Sequence, residues 1–325
     1  MLYKDAGVDI DALNAAKHGI GKQVMLTFKK NVKSSFGMFG GLYPLGTEYL
    51  VSSIDSVGTK VIVACSVGKH TTVGQDIVNH CVNDILTTGA LPLFFMDYIG
   101  FSELPRKTIV DIVTGIARAC KKENIVLVGG ETAQLSRFYP KGLYDLVGCI
   151  VGKVSKKNLI NTSRIKPGDI ILGLKSRGLH TNGYSLARKV LLRKYTFNSY
   201  VPRLKCTVGE ELLKIHRCYR KQLAPRLRYI KGMAHITGGG FYDNIKRILP
   251  RNCSAVITKK SWRPLPVFKL IQTMGQIPDE EMYRVFNMGM GMTVVTDRHN
   301  LKHFRKIRPV VIGEVVKGDH TVTVS

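Results

Sequence analysis

Acidic residues are scarce. The 325-residue chain has 23 Asp and Glu against 49 Lys and Arg, a formal charge of +26 at neutral pH. No apolar run approaches the ~18–20 residues that a bilayer-crossing helix needs. The cysteines number seven, an odd total, and no two have C-x-x-C spacing. They read as small buried hydrophobes of a chain kept in a reducing compartment, not as a disulfide framework or a zinc ribbon. Zinc-finger spacing, aromatic RNA-binding signatures and basic-zipper heptads are also missing. The basic residues come as scattered pairs such as Lys29-Lys30 and Lys156-Lys157. The charge therefore reads as a solvated surface of drifted composition, from which weak, non-specific binding to polyanions follows. Met1 to Ile10 has no basic-then-apolar leader, so the expected location is cytoplasmic.

What is present is globular. Apolar residues make up 44% and charged residues 22%, without tandem repeats or low-complexity segments. Single cores stop growing near ~250–300 residues, so two domains are expected. From Tyr49 to Lys153 strand-like and helix-like stretches alternate. Strands are expected at Leu50–Asp55, Pro92–Tyr98, Ile125–Gly130 and Tyr144–Val154. The apolar steps of three and four predict helices over Thr71–Thr88 and Thr108–Lys122. Lys156 to Pro167 is polar and aperiodic, which puts the boundary near residue 160 and gives domains 1–160 and 161–325. Beyond it, strands are expected at Asp169–Leu174, Cys253–Thr258, Met290–Thr296 and Val310–Val316, and a short helix at Asn300–Ile307. Val208–Ile230 is the longest helical candidate, ended or kinked by Pro225. The pattern is α/β throughout.

Four glycine-bearing polar junctions could carry chemistry. Asp55-Ser-Val-Gly-Thr-Lys60 follows an apolar strand; it either binds a metal–nucleotide or simply ends the strand. It is not a Walker A loop. Asn83-Asp84 ends a series in which Asp76, His80 and Asp84 recur at four-residue steps. Gly129-Gly-Glu-Thr-Ala133 closes another apolar strand, at an end where ligands of open α/β sheets collect. His180-Thr-Asn-Gly183 and His235-Ile-Thr-Gly-Gly-Gly240 each set a histidine ahead of glycine and a following helix, a backbone arrangement suited to anions.

An ordered series of motifs carries a resemblance. YKDAGVDIDA (Tyr3–Ala12), DSVGTK (Asp55–Lys60), CVNDIL (Cys81–Leu86) and PLFFMDY (Pro92–Tyr98) begin it. VGGETA (Val128–Ala133), HTNGYSLARK (His180–Lys189), HITGGGF (His235–Phe241) and EMYRVFNMGMGM (Glu281–Met292) complete it. From end to end the chain resembles the phosphoribosylformylglycinamidine cyclo-ligases, the aminoimidazole ribonucleotide synthetases. The resemblance implies two α/β domains in a homodimer whose N-terminal domains pair strands across the two-fold. It implies ATP- and magnesium-dependent closure of the imidazole ring of formylglycinamidine ribonucleotide in purine biosynthesis. The γ-phosphoryl group passes to the formyl oxygen, an amidine nitrogen attacks, and phosphate leaves.

Carried onto this chain, the resemblance implies magnesium on Asp55, Asp84 and Glu131. ATP falls to Gly58, Thr59, Lys60, Asn83, Gly129, Gly130, Glu131 and Thr132. The ribonucleotide falls to His180, Asn182, Thr237, Gly238, Gly239 and Gly240, with Asp55, Lys60, Asp84, His180 and His235 as the catalytic set. Several positions depart from the family pattern. Ser56 stands where the family has glycine, the glycine-rich segment reads Ser34-Ser-Phe-Gly-Met-Phe-Gly-Gly-Leu42, and Gln134–Arg137 replaces E-M-P-G. Gly21 falls where the family carries a lysine. A Cβ added at a glycine position restricts the backbone, so a looser nucleotide loop in a working enzyme is expected. The alternatives are another ATP-dependent kinase or synthetase of the same superfamily, and an inactive homologue whose charge serves nucleic acid.

Overall fold

The computed structural model describes residues 1–29, 32 and 37–325. Residues 33–36, within the altered glycine-rich segment, lie outside that range. Helix α1 (Ile10–Leu26), which contains Gly21, is capped by Asp9, whose side chain accepts from Ala12 N at 3.0 Å. Two sheets follow. The first is built from β1 (Gly41–Leu45), β2 (Glu48–Ser56), β3 (Leu91–Phe101), β4 (Val126–Gln134) and β5 (Tyr144–Ser155), in the order β1-β2-β5-β3-β4. Only the β3–β4 pair is parallel. Helices α2 (Lys60–Val67), α3 (Thr71–Leu86) and α4 (Arg106–Glu123) belong to the same half. Inward side chains such as Val51, Phe95, Ile99 and Ile150 are buried, and the alternation expected of a one-sided sheet holds.

Residues 156–169 lead to the second sheet. It contains β6 (Ile170–Lys175), β9 (Gly232–His235), β10 (Cys253–Ile257), β11 (Met290–Thr296), β12 (Val310–Lys317) and β13 (Val322–Val324), ordered β13-β10-β12-β6-β11-β9. The strands β7 (Tyr200–Val201) and β8 (Cys206–Thr207) form a separate small pair. Around them lie α5 (Tyr184–Leu191), α6 (Val208–Leu212), α7 (Arg220–Leu223), α8 (Gly240–Lys246), α9 (Pro266–Gly275) and α10 (Asp279–Val285).

The strand expected at Ile125–Gly130 forms as β4, an edge strand, with Val126 and Val128 exposed beside an outer sheet face that also shows Ile54 at 70%. One expectation needs correction: the long helix over Val208–Ile230 does not form. It breaks after Leu212, runs extended past His216, and resumes as α7 and a 3-10 turn over Ala224–Tyr229 that has Pro225 in its first turn. Side chains of α3 take the backbone groups that a helix would have used. Asp76 accepts from His216 N at 2.6 Å, Asn79 donates to His216 O at 2.7 Å, and Asn83 bonds Arg217 O and Tyr219 N at 2.8 and 2.9 Å. Asp76, Asn79 and Asn83 share one helix face by their spacing. A fully buried ammonium completes the seam: Lys60 Nζ lies 2.7 Å from Asp76 Oδ2 and donates to the carbonyls of His180 and Lys214.

Helices α3 and α4 meet backbone to backbone. A Cβ on Gly74 would stand 2.2 Å from Ile112 O, and one on Gly115 2.3 Å from Thr71 O. Behind β3, half-buried Asp97 shares an inward row with Asp55 through Gly148. Burial pushes its carboxyl up to about 6.

Three outcomes are expected. Gly115→Ala should lose about 1–3 kcal/mol in denaturant unfolding, because neither backbone can move aside. Asp76→Ala should lose about 3–5 kcal/mol, since it strands the Lys60 ammonium in the interior. Asp97→Asn should raise the melting temperature at pH 7.5 and not at pH 4. The native pKa lies above the unfolded one, so the wild type sheds this stability as pH rises from about 4 through about 6.

Candidate functional site

Five segments converge where the two sheets' halves meet. Strand β2 delivers Asp55 at its carboxyl end, and α3 delivers His80 and Asp84 one turn apart. Strand β9 ends in His235. The loop before α5 brings His180, Thr181 and Asn182, and the extended stretch after α6 brings His216. His80 Nε2 sits between two carboxylates, 2.8 Å from Asp55 Oδ2 and 3.3 Å from Asp84 Oδ2. His235 Nδ1 is 2.8 Å from Asp84 Oδ1, and its Nε2 is 3.0 Å from His216 Nε2. Thr181 Oγ1 lies 2.7 Å from His80 Nδ1 and 3.4 Å from His216 Nδ1. The contacts form a closed ring of imidazoles, hydroxyl and carboxylate.

Charge is arranged with equal economy. Burial alone would neutralise Asp84; the His80 charge and the hydrogen bonds from His235 and His80 overcome it and hold the carboxyl well below its usual range. Burial likewise opposes a charged His80, but Asp55 and Asp84 beside it raise its pKa well above the usual value. His180 and His216 stack with ring centroids 3.9 Å apart, and burial and their fellow imidazoles push both well down, so they are neutral. His180 also has left-handed backbone (φ 65°), unusual for a residue with a Cβ. Its carbonyl accepts from Lys60 Nζ at 3.2 Å and from Tyr184 Oη at 3.1 Å, which offsets the strain.

The structure thus brings together Asp55, Asp84, His180 and His235 of the expected set. The glycine loops border them. Asn182 Oδ1 lies 3.4 Å from where a Gly238 Cβ would stand, and Asn244 Nδ2 donates to the carbonyls of Thr237, Gly238 and Gly240. Gly239 and Gly240 have positive φ, and a Cβ on Gly240 would collide with Tyr283 O at 1.9 Å. Thr59 Oγ1 meets Ser185 Oγ at 3.2 Å across the halves, directly after left-handed Gly58.

Other assignments change. Lys60 has spent its three donors on Asp76, His180 O and Lys214 O, which leaves none for a phosphate. Asn83 is occupied by the 216–219 backbone. Glu131 is not with Asp55 and Asp84 in one chain. Register pairs it with Tyr98, Val147 and Ser56 in a single row, so it points to the outer sheet face while Asp55 points inward. Three strand spacings put it roughly 14 Å from the end of β2. Gly129, Gly130 and Thr132 lie on the same edge strand. His80 carried a signal, its four-residue step from Asp84. His216 carried none, because its stretch has helical composition.

Residues 40–154 match the family described as AIR synthase related protein, N-terminal domain, and residues 166–325 match the corresponding C-terminal domain. A phosphoribosylformylglycinamidine cyclo-ligase of Thermoanaerobacter sp. (strain X514) is 46% identical over 331 residues, covering 98% of each chain. One from Syntrophotalea carbinolica is 45% identical over 342 residues, covering 99% of this chain and 98% of its own. Among solved structures, AaThiL complexed with AMPPCP and TMP superposes with a TM-score of 0.68 at 15% identity, covering 95% of this chain and 93% of that one. T. maritima PurL complexed with AMPPCP gives 0.54 at 17% identity, covering 85% and 42%. At such identities the two structures show a common fold. With both halves matched and the alignment to cyclo-ligases running nearly end to end, the chain belongs to the phosphoribosylformylglycinamidine cyclo-ligase family.

Proposed function

We propose that this chain closes the imidazole ring of formylglycinamidine ribonucleotide, using ATP and releasing ADP, phosphate and aminoimidazole ribonucleotide. Relatives named for that reaction support it along nearly the whole chain. The observation that carries it to particular residues is the convergence of Asp55 and Asp84 on His80 at the junction of the halves. A formamide oxygen is a poor leaving group until phosphorylated, and phosphoryl transfer depends on positioning and charge neutralisation. Two carboxylate oxygens from separate elements meet at His80 Nε2, and such oxygens suit a divalent cation such as magnesium where it takes the place of that imidazole's charge. A cation held by Asp55 and Asp84 would neutralise phosphoryl oxygens. His80 and His235 orient Asp84, while half-exposed Asp55 faces the open side.

We place the ATP phosphates at Gly58 and Thr59, where α2 starts without a side-chain cap. The ribonucleotide lies along His180–Gly183 and Thr237–Gly240, whose carbonyls Asn244 holds back. Residues 1–160 serve as the nucleotide and dimerisation domain and 161–325 as the substrate domain. The exposed apolar residues Ile54, Leu91 and Val126 suit pairing with a second copy, which would also cover the Glu131 strand. No helix among the described residues is long and apolar enough to cross a membrane, which accords with a cytoplasmic enzyme. Weak polyanion binding suits the groove of about 1230 Å³ bordered by Lys156, Lys157, Arg164 and Arg228.

The test is incubation with ATP, magnesium and formylglycinamidine ribonucleotide, reading aminoimidazole by diazo coupling. Colour is expected; its absence beside an active control enzyme overturns the assignment. Asp55→Asn should lower kcat by about 100-fold or more with an unchanged melting temperature. Near-normal turnover would remove Asp55 from the chemistry.

A further inference from the structure

Most half-buried arginines in this chain are tied down. Arg217, Arg220, Arg226 and Arg284 donate to carbonyls or carboxylates. Arg247, the residue that caps the carboxyl end of α8, does not. Among the described residues its guanidinium has no hydrogen-bond or ion-pair partner. A guanidinium is always charged and offers five donors in a planar fork, so one partly withdrawn from water calls for an acceptor. What the group does touch is an aromatic face, with Cζ 5.2 Å from the ring centroid of Phe39.

That ring places the guanidinium at the site. Phe39 precedes Gly41 by two residues, and Gly41 pairs with Ser52 in the antiparallel β1–β2 ladder. The segment before β1 therefore runs along β2 toward Asp55. A Cβ on Gly40 would stand 2.9 Å from Val51 Cγ1, so the segment lies close on that strand. Next along β2, Ser53 Oγ is 3.5 Å from Asp84 Oδ2. Arg247 reaches this point from the other half. Burial lowers its pKa, and the opposing charges of Asp243, Asp84 and Asp55 raise it. None of the three closes an ion pair with it: Asp84 is engaged by His235 and His80, Asp55 by His80, and Asp243 lies 3.5 Å from Asn14 Nδ2.

A guanidinium that faces two carboxylates without closing on them leaves room for a third group between. The carboxylate side takes a cation and the arginine side an anion, and a phosphoryl group satisfies both through different oxygens. We propose that Arg247 is a further phosphoryl-binding residue of this reaction, its fork gripping the non-bridging oxygens of a nucleotide phosphate at the open side of the site while Phe39 holds the fork flat. The inference rests on the reading of Asp55 and Asp84 as the phosphoryl-transfer site. Two phosphates enter the reaction, the γ-phosphoryl group of ATP and the 5′-phosphate of the ribonucleotide. The first is expected here, because the charges that act on Arg247 include both carboxylates that face the transferring group. Arg247 makes and breaks no bond; it neutralises charge on the oxygens it holds.

Variants of the full-length protein test it, with circular dichroism as the check on folding. Arg247→Gln should lower kcat by about 100-fold or more and Arg247→Lys by about 10-fold, with both KM values within about threefold. Added guanidinium, too dilute to denature, should restore part of the rate to Arg247→Ala, which a merely structural role would not allow. Phe39→Leu, which keeps the guanidinium and removes the ring, should cost less than Arg247→Gln. A raised KM for the ribonucleotide at unchanged kcat assigns the fork to the 5′-phosphate instead. Unchanged kcat and KM in folded Arg247→Gln overturns the proposal, as does an equal loss in Phe39→Leu without guanidinium rescue. If Arg247→Gln does not fold, Arg247→Lys decides. Binding of ADP with magnesium and aluminium fluoride, a mimic of the transferring group, separates this inference from the reaction. Should the wild type bind the mimic but not close the ring, weaker binding of the mimic and not of ADP alone in Arg247→Gln keeps the site and removes the reaction. Ring closure at the wild-type rate in Arg247→Gln removes the role of Arg247 alone.

Discussion

A polar helix face that is nonetheless buried holds this molecule's two halves in register. Asp76, Asn79 and Asn83 of α3 bind the backbone of residues 216–219, and the Lys60 ammonium closes the seam. Buried polar groups without partners are costly, so such a face is stable only with the opposing strand in one register. That register carries His216 into the ring with His235, Thr181 and His80. The seam thus supports the site from behind, while Asp55 and the glycine loops remain at its open side.

Local pattern was enough for most of the fold. Helices α3 and α4, with apolar residues at steps of three and four, lie within a few residues of their expected bounds. Strands β2, β5, β6, β11 and β12 likewise follow their apolar runs. The one failure has a clear cause: Val208–Ile230 has the composition of a helix, but tertiary hydrogen bonds from α3 outcompete the helical ones after Leu212. The β4 strand forms as expected, with its valines exposed on a sheet edge. Pattern reports that a side chain avoids water, not whether its own chain or another surface covers it.

The site was legible in the same uneven way. Motif order found Asp55, Asp84, His180 and His235, each beside a glycine turn or at the end of a regular element. The placement of their neighbours was not legible in the same way. Lys60 and Asn83 sit within recognised motifs, yet their polar ends turn inward to join the halves. His216 was invisible because nothing local marks a histidine whose partners come from three other segments. Glu131 stands apart because the sheet's alternation sends it to the opposite face from Asp55.

The seam also bears on how damage to this protein would show itself. Replacements at Asp76 or Asn79 lie behind the ring of histidines and carboxylates, yet they loosen the fold itself. In a cell such a change would surface first as scarce protein, removed by quality control, while each surviving molecule worked at its ordinary pace. A screen that scores growth alone would mistake these positions for catalytic ones.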